Sequence, residues 1–269
     1  LAAGLIINAF LLYCILWRTQ HDLGAYKYMQ IIYVSIDVAY AVAQVSIAER
    51  FVSQNLVLSI FGVTSIGNSR VVICAFLAHY AIIYLMIDYN FLYRLWALKS
   101  PERTRLFSEK WFVALLIFIG ITFYIVWGSM CYFFFVPSEH GRMKIREAVM
   151  SKYGVDTMTQ GMIMGDYFNA DGSRNFHLSI GVLILFTIVV ICSSFMIYAA
   201  TTIVYYLKTS KLISEKGLQL QRQLFILLCA QVGRIPIPLS INFFRPSFLF
   251  SSSILRVSST LVSLTSLWM

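Results

Sequence analysis

Charge is what this sequence has least of. Only 12% of its 269 residues are charged and 12 of them are Asp or Glu, while 59% are hydrophobic and 16% aromatic. A soluble domain devotes roughly a quarter of its residues to charge, so a water-soluble globule is excluded and a membrane protein is expected. Cysteine is also sparse. The five cysteines, at 14, 74, 131, 192 and 229, each lie inside an apolar run and none has metal-ligand spacing, so small buried hydrophobes are the plain reading. No HExxH pattern occurs, and Gly165-Asp166 has no second acid beside it, which argues against an intramembrane enzyme; neither a metal nor a cofactor is expected. No half of the chain mirrors the other, and the proline-interrupted stretch occurs once, near the end. A transporter of paired broken helices would show both features twice. No N-x-[ST] sequon exists to orient the chain, and no initiator Met precedes Leu1, so a fragment with a clipped first helix is expected.

What is present is a series of apolar runs. The central one is Val71 to Pro101, in which more than twenty residues pass with only His79 and Asp88 able to ionise. At about 1.5 Å rise per residue that crosses a bilayer core of about 30 Å. It ends in Tyr93, Arg94, Trp96 and Lys99 before Ser100-Pro101, the order expected of a helix reaching headgroups. Asp88 lies six residues, roughly 9 Å, before Arg94 and should face other helices or a wet cavity. The other spans are Leu1 to Trp17, Tyr26 to Ala48 with Asp37 near its middle, Trp111 to Val136 closed by Pro137, and His177 to Leu207. Gln223 to Val232 begins a sixth, interrupted by Gly233-Arg234, Pro236, Pro238 and Pro246, and Phe248 to Met269, with Arg256 inside, is a seventh. Between them Glu49 to Arg70 reads as a part-apolar loop, Glu102 to Lys110 as a short polar turn, and Pro137 to Phe176 as the one long soluble segment. The expected architecture is all-α, a single seven-transmembrane bundle over 1–269. Residues 5–222 should be ordered and 233–269 should pack poorly.

Charge asymmetry orients the spans. One side carries eleven basic residues, among them Arg18, Arg94, Arg103, Lys110, Lys208 and Arg222, against four acidic ones; the other carries seven against six. The positive-inside rule makes the first side cytoplasmic and the 137–176 segment extracellular, with the N-terminus outside and the C-terminus inside. This bias accounts for the net charge of +9 without nucleic acid as a partner.

Several short motifs then align. They are Gly24-Ala25-Tyr26-Lys27-Tyr28-Met29 with Val34-Ser35-Ile36-Asp37, Leu92-Tyr93-Arg94-Leu95-Trp96-Ala97-Leu98, Trp127-Gly128-Ser129-Met130-Cys131-Tyr132-Phe133-Phe134, and Gln221-Arg222-Gln223-Leu224-Phe225. In the long segment Tyr153-Gly154-Val155-Asp156 is followed by Asp166-Tyr167-Phe168-Asn169-Ala170-Asp171-Gly172. In this order, across residues 5–232, they resemble the nematode Str-type seven-transmembrane chemoreceptors. The resemblance implies a G-protein-coupled receptor of the plasma membrane that binds a small, often volatile, molecule, as olfactory receptors do, and activates a heterotrimeric G protein. Three features depart from the family pattern: Asp88 where a small or apolar residue is usual, the break at Gly233-Arg234, and no proline-containing end to the seventh helix.

The candidate site residues follow. Tyr93 and Arg94 hold the family's coupling position, although Arg94 could equally be an anchor. Asp37 and Asp88 are candidates for an interior polar switch, or are buried acids hydrogen-bonded to hydroxyls. His79 and Tyr80 could line a ligand pocket between helices, or simply pack. Cys74 and Cys131 fall in the outward parts of adjacent helices, where a bridge is the less favoured reading. The alternatives to a signalling receptor are a polytopic transporter and a non-signalling degenerate receptor fragment.

Overall fold

The computed structural model describes residues 25–54 and 56–209, together with Tyr13 and Phe225. The expected first, sixth and seventh spans, and residues 210–222 of the basic connector, lie outside the described residues. Four described helices are long and apolar enough to cross a membrane. They are α1 (Ala25–Ile47), α2 (Arg70–Lys99), α3 (Lys110–Phe134) and, after a shorter helix, α5 (Phe176–Thr209). Their bounds match the second to fifth expected spans to within three residues at each end, because each apolar run stops at a charge or a proline. After α2, Pro101 occupies the first position of a 3-10 helix, Pro101–Ser108, where its missing N–H costs nothing.

Burial differs sharply among the spans. More than half of the apolar window of α2 is buried, against 6% for α3. Ile117, Ile121 and Ile125, four residues apart on α3, are each more than half exposed, which suits a face turned to lipid. Where α3 meets α2 it does so through small residues and a hydroxyl. A side chain on Gly128 would lie 3.5 Å from Ala78 Cβ, and the Tyr124 hydroxyl donates to the Ala75 carbonyl at 3.0 Å.

The segments read as loops are not loops. Glu49–Gln54 (β1) and Val57–Gly62 (β2) form an antiparallel hairpin registered from Glu49↔Gly62 to Gln54↔Val57, and Met162–Asp166 (β3) pairs with the other edge of β2. The protein is helical as expected, and two of its connecting segments carry a small three-stranded sheet that the expected architecture did not include. The reason is burial. Every residue of β2 and β3 is buried, so neither strand shows the polar–apolar alternation that marks a half-exposed strand. The cover is α4 (Glu139–Tyr153), which buries Gly141, Ile145 and Val149. Its ends are written in sequence: the Ser138 hydroxyl accepts from Gly141 N at 3.0 Å, and Gly154 closes it at φ 66°.

This cap is stitched by polar bonds, of which the Gln160–Gly62 bond is buried. Asp166, 4% exposed, accepts from Lys144 Nζ at 3.3 Å and from the Ser138 hydroxyl at 3.3 Å. Gln160 Nε2 donates to the Gly62 carbonyl at 2.6 Å, and Gly161 N to Asn68 Oδ1 at 2.5 Å, which ties the 157–161 turn to the start of α2. Gly62 and Gly67 cross closely: a Cβ on Gly62 would lie 2.5 Å from Gly67 Cα. The residues fall into two compact units, Leu1–Tyr84 with Ala114–Ile188, and Leu85–Val113 with Val189–Met269. The cap belongs to the first.

Candidate functional site

Within the first unit, α2 and α1 meet through an aromatic cluster. Tyr40 stacks on Phe76 with ring centroids 4.9 Å apart, lies parallel to the His79 ring at 6.1 Å and tilts against Tyr80 at 5.6 Å. Tyr80 in turn meets Tyr84 edge-on at 5.6 Å. The spacing explains it, since Phe76, His79/Tyr80 and Tyr84 occupy successive turns of one face of α2. His79 Nε2 lies 3.0 Å from the Ile36 carbonyl, so the ring is positioned by a hydrogen bond as well as by stacking. Asp37 is half-buried on α1, next in sequence to the residue that holds His79. The two ligand-site candidates are thus brought together. Tyr40 and Phe76, which the sequence reading passed over, belong with them, and the four-residue interval between Phe76 and Tyr80 was the available signal.

Glu49, just beyond the end of α1, accepts a 3.1 Å bond from Gln44 Nε2. Burial raises its carboxyl above the usual range, an effect opposed by the Gln44 bond and by Arg50. At the same end of the helices, Cys74 and Cys131 are both buried and unbridged.

The second unit holds the other candidates. Asp88 is 7% exposed; the Cys192 thiol of α5 lies beside it, while its Oδ1 makes no hydrogen bond among the described residues. Asn90, fully buried, donates from Nδ2 to the Met86 carbonyl at 2.8 Å. Arg94 is 2% exposed, so in this conformation it does not extend to water. Beside it the 3-10 helix folds back and seats Phe107 against Tyr93 at 5.1 Å and Trp96 at 5.7 Å. Phe112, at the start of α3, closes the group at 5.2 Å from Phe107 and 5.8 Å from Trp96. Edge-to-face contacts of this kind add about 0.5–1.5 kcal/mol per pair beyond burial, so the turn after α2 is held firmly. Phe107 escaped the sequence reading because it lies in a segment whose average is polar. Asp37 and Asp88 fall in different compact units, and each is placed by its own surroundings.

Over residues 1–267 the chain matches the family described as "Serpentine type 7TM GPCR chemoreceptor Str". It is also similar to "Serpentine receptor class J-38" of Caenorhabditis elegans, with 25% identity over 265 residues that cover 90% of this chain and 74% of that protein. No solved structure matches it.

Proposed function

We propose, from the premise that the chain belongs to the Str-type serpentine family of seven-transmembrane G-protein-coupled chemoreceptors, that it binds a small molecule at the capped ends of its helices and passes that event to a heterotrimeric G protein. The family is one of multi-pass membrane receptors, not of enzymes. In the reading advanced here the protein sits in the plasma membrane with the N-terminus and the sheet-bearing cap outside and the C-terminus inside. The observation that carries the reading is the composition of α2. The helix bears His79 and Tyr80 in the aromatic cluster and, fourteen residues further along the sequence, Tyr93 and Arg94.

The ligand side is apolar and aromatic with few polar groups, His79 chief among them, which suits a small, largely apolar, volatile molecule held by ring faces and oriented by one or two hydrogen bonds. Further along α2, the buried Arg94 is a guanidinium kept from solvent, next in sequence to Tyr93 of the Tyr93–Phe107–Trp96 group. Coupling would consist of releasing it to a docked partner, for which its planar fork offers several hydrogen bonds. Asp37 and Asp88 would bias the change, since an intramembrane acid is costly to rearrange and responds to its neighbours.

The test is Arg94→Ala, beside Arg94→Lys, in cells carrying a reporter G protein and screened with a panel of small volatile ketones, alcohols and esters. The account expects normal surface expression, a response in the parent, at least a tenfold loss with alanine, and partial retention with lysine. A fully responsive alanine variant would reduce Arg94 to a packing residue.

A further inference from the structure

Two arginines, Arg70 and Arg142, have no acidic partner among the described residues. The described residues contain two ion pairs, Lys144–Asp166 and Arg146–Asp156, and neither includes Arg70 or Arg142. Arg70 opens α2, donates from Nη2 to the Tyr132 carbonyl and lies 4.4 Å from the centre of the Tyr132 ring. Its Nε is buried and makes no hydrogen bond among the described residues. Arg142, on α4, donates from Nη1 alone, to the carbonyls of Thr157, Met158 and Gln160.

These groups are neighbours. The turn whose carbonyls hold Arg142 is bonded to Asn68 through Gly161, and a side chain on Gly161 would lie 3.0 Å from Ser69 N, the residue before Arg70. Burial, and then the nearby Arg70 charge, lower the proton affinity of Arg142. Two like charges are therefore held together by backbone constraints. The arrangement also places them at the first turn of α2, where helical N–H groups point outward and the helix dipole favours negative charge. One cation on a carbonyl cradle is ordinary solvated packing; two with no carboxylate partner among the described residues leave a place for an anion.

We propose that Arg70 and Arg142 form a binding site for an anionic oxygen group, a carboxylate or a phosphate, at the capped end of α2. The two forks supply bidentate donors of the kind that planar anions take. The group could be the carboxylate of a soluble ligand or the phosphate of a lipid headgroup. If it is the former, the site deepens the receptor reading and rests on it; if the latter, it stands alone.

Direct binding separates these cases. The full-length protein, held in a phosphate-free maltoside detergent, is titrated with sodium butyrate, sodium phosphate and neutral butanol by calorimetry. The same titration is repeated with phosphatidylserine added to the micelles. Saturable binding of butyrate or phosphate, absent for butanol and weakened at least tenfold in both Arg70→Gln and Arg142→Gln, is expected. Suppression of that binding by phosphatidylserine would identify a headgroup as the occupant, and persistence would identify a soluble anion. Arg142→Lys, which keeps the charge and loses the fork, guards against misfolding and should weaken binding less than Gln. No saturable anion binding in protein whose melting is normal, or parental affinity in both Gln variants, overturns the proposal. Because no signalling is measured, that failure would leave the receptor reading untouched.

Discussion

Replacing Asp166 by alanine tests whether the cap is a built structure or a loose lid. Asp166 is 4% exposed and takes bonds from Lys144, Ser138 and the Phe168 N–H. Removing one partner of a fully buried pair costs about 3–5 kcal/mol. Lys144, however, keeps about a quarter of its side chain in water and can rehydrate, and the Phe168 bond is long at 3.4 Å. The Ser138 hydroxyl also retains its bond from Gly141. The net loss should be nearer 2 kcal/mol, which for a domain of this size shifts the melting temperature by about 4–8 °C. A thiol-reactive fluorogenic dye is a suitable reporter, since Cys74 and Cys131 are buried in the same compact unit and react when it opens. Asp166→Asn keeps the volume and should lose about half as much. A double-mutant cycle with Lys144→Met should give a coupling of about 1 kcal/mol. Melting unchanged to within about 1 °C would mean that the pair behaves like an exposed one and that the cap is held by apolar contacts alone.

Other changes have equally definite expected outcomes. Gly62→Ala drives a methyl into the Gly67 backbone, which cannot move aside as a side-chain tip could; a loss of about 1–3 kcal/mol and a lower melting temperature are expected, and no change would contradict the crossing. The Asp156 carboxyl is held below its usual range by the Met158 N–H and by Arg146. Its contribution is therefore present above the ordinary aspartate value near about 3.9 and is lost as pH falls through the lower folded value. Hydrogen exchange at Met158 should lose protection at about pH 3 relative to about pH 5, and equal protection would refute the assignment. Asp37→Asn should leave surface expression intact and shift the ligand dose–response; superimposable curves would make Asp37 a packing residue.

The spans were legible because one force dominates them. An apolar run of twenty or more residues ended by Arg94 and Lys99 or by Pro137 has few structures open to it. The cap was hidden for the opposite reason. Val57–Gly62 and Met162–Asp166 are short apolar stretches whose partners are distant in sequence, and no local pattern reveals that they pair. The helix between them was readable in retrospect, from Ser138 at its start and Gly154 at its end. At the candidate site the sequence identified ionisable residues at membrane depth but not their neighbours. The Cys192 thiol beside Asp88 comes from another helix, and the burial of Arg94 accompanies the folding back of Phe107, an apolar residue in a charged turn.

The central claim is that the cap faces outward and the Arg94 end inward, since a chemoreceptor must be built that way round. Ser151, exposed on α4, and Ser108, exposed at the end of the 3-10 helix, can each be changed to cysteine at little structural cost. A membrane-impermeant maleimide applied to intact cells should label Ser151→Cys above the parent's background, and should label Ser108→Cys only after permeabilisation. Labelling of Ser108→Cys in intact cells, with Ser151→Cys protected, would invert the topology and contradict the receptor account.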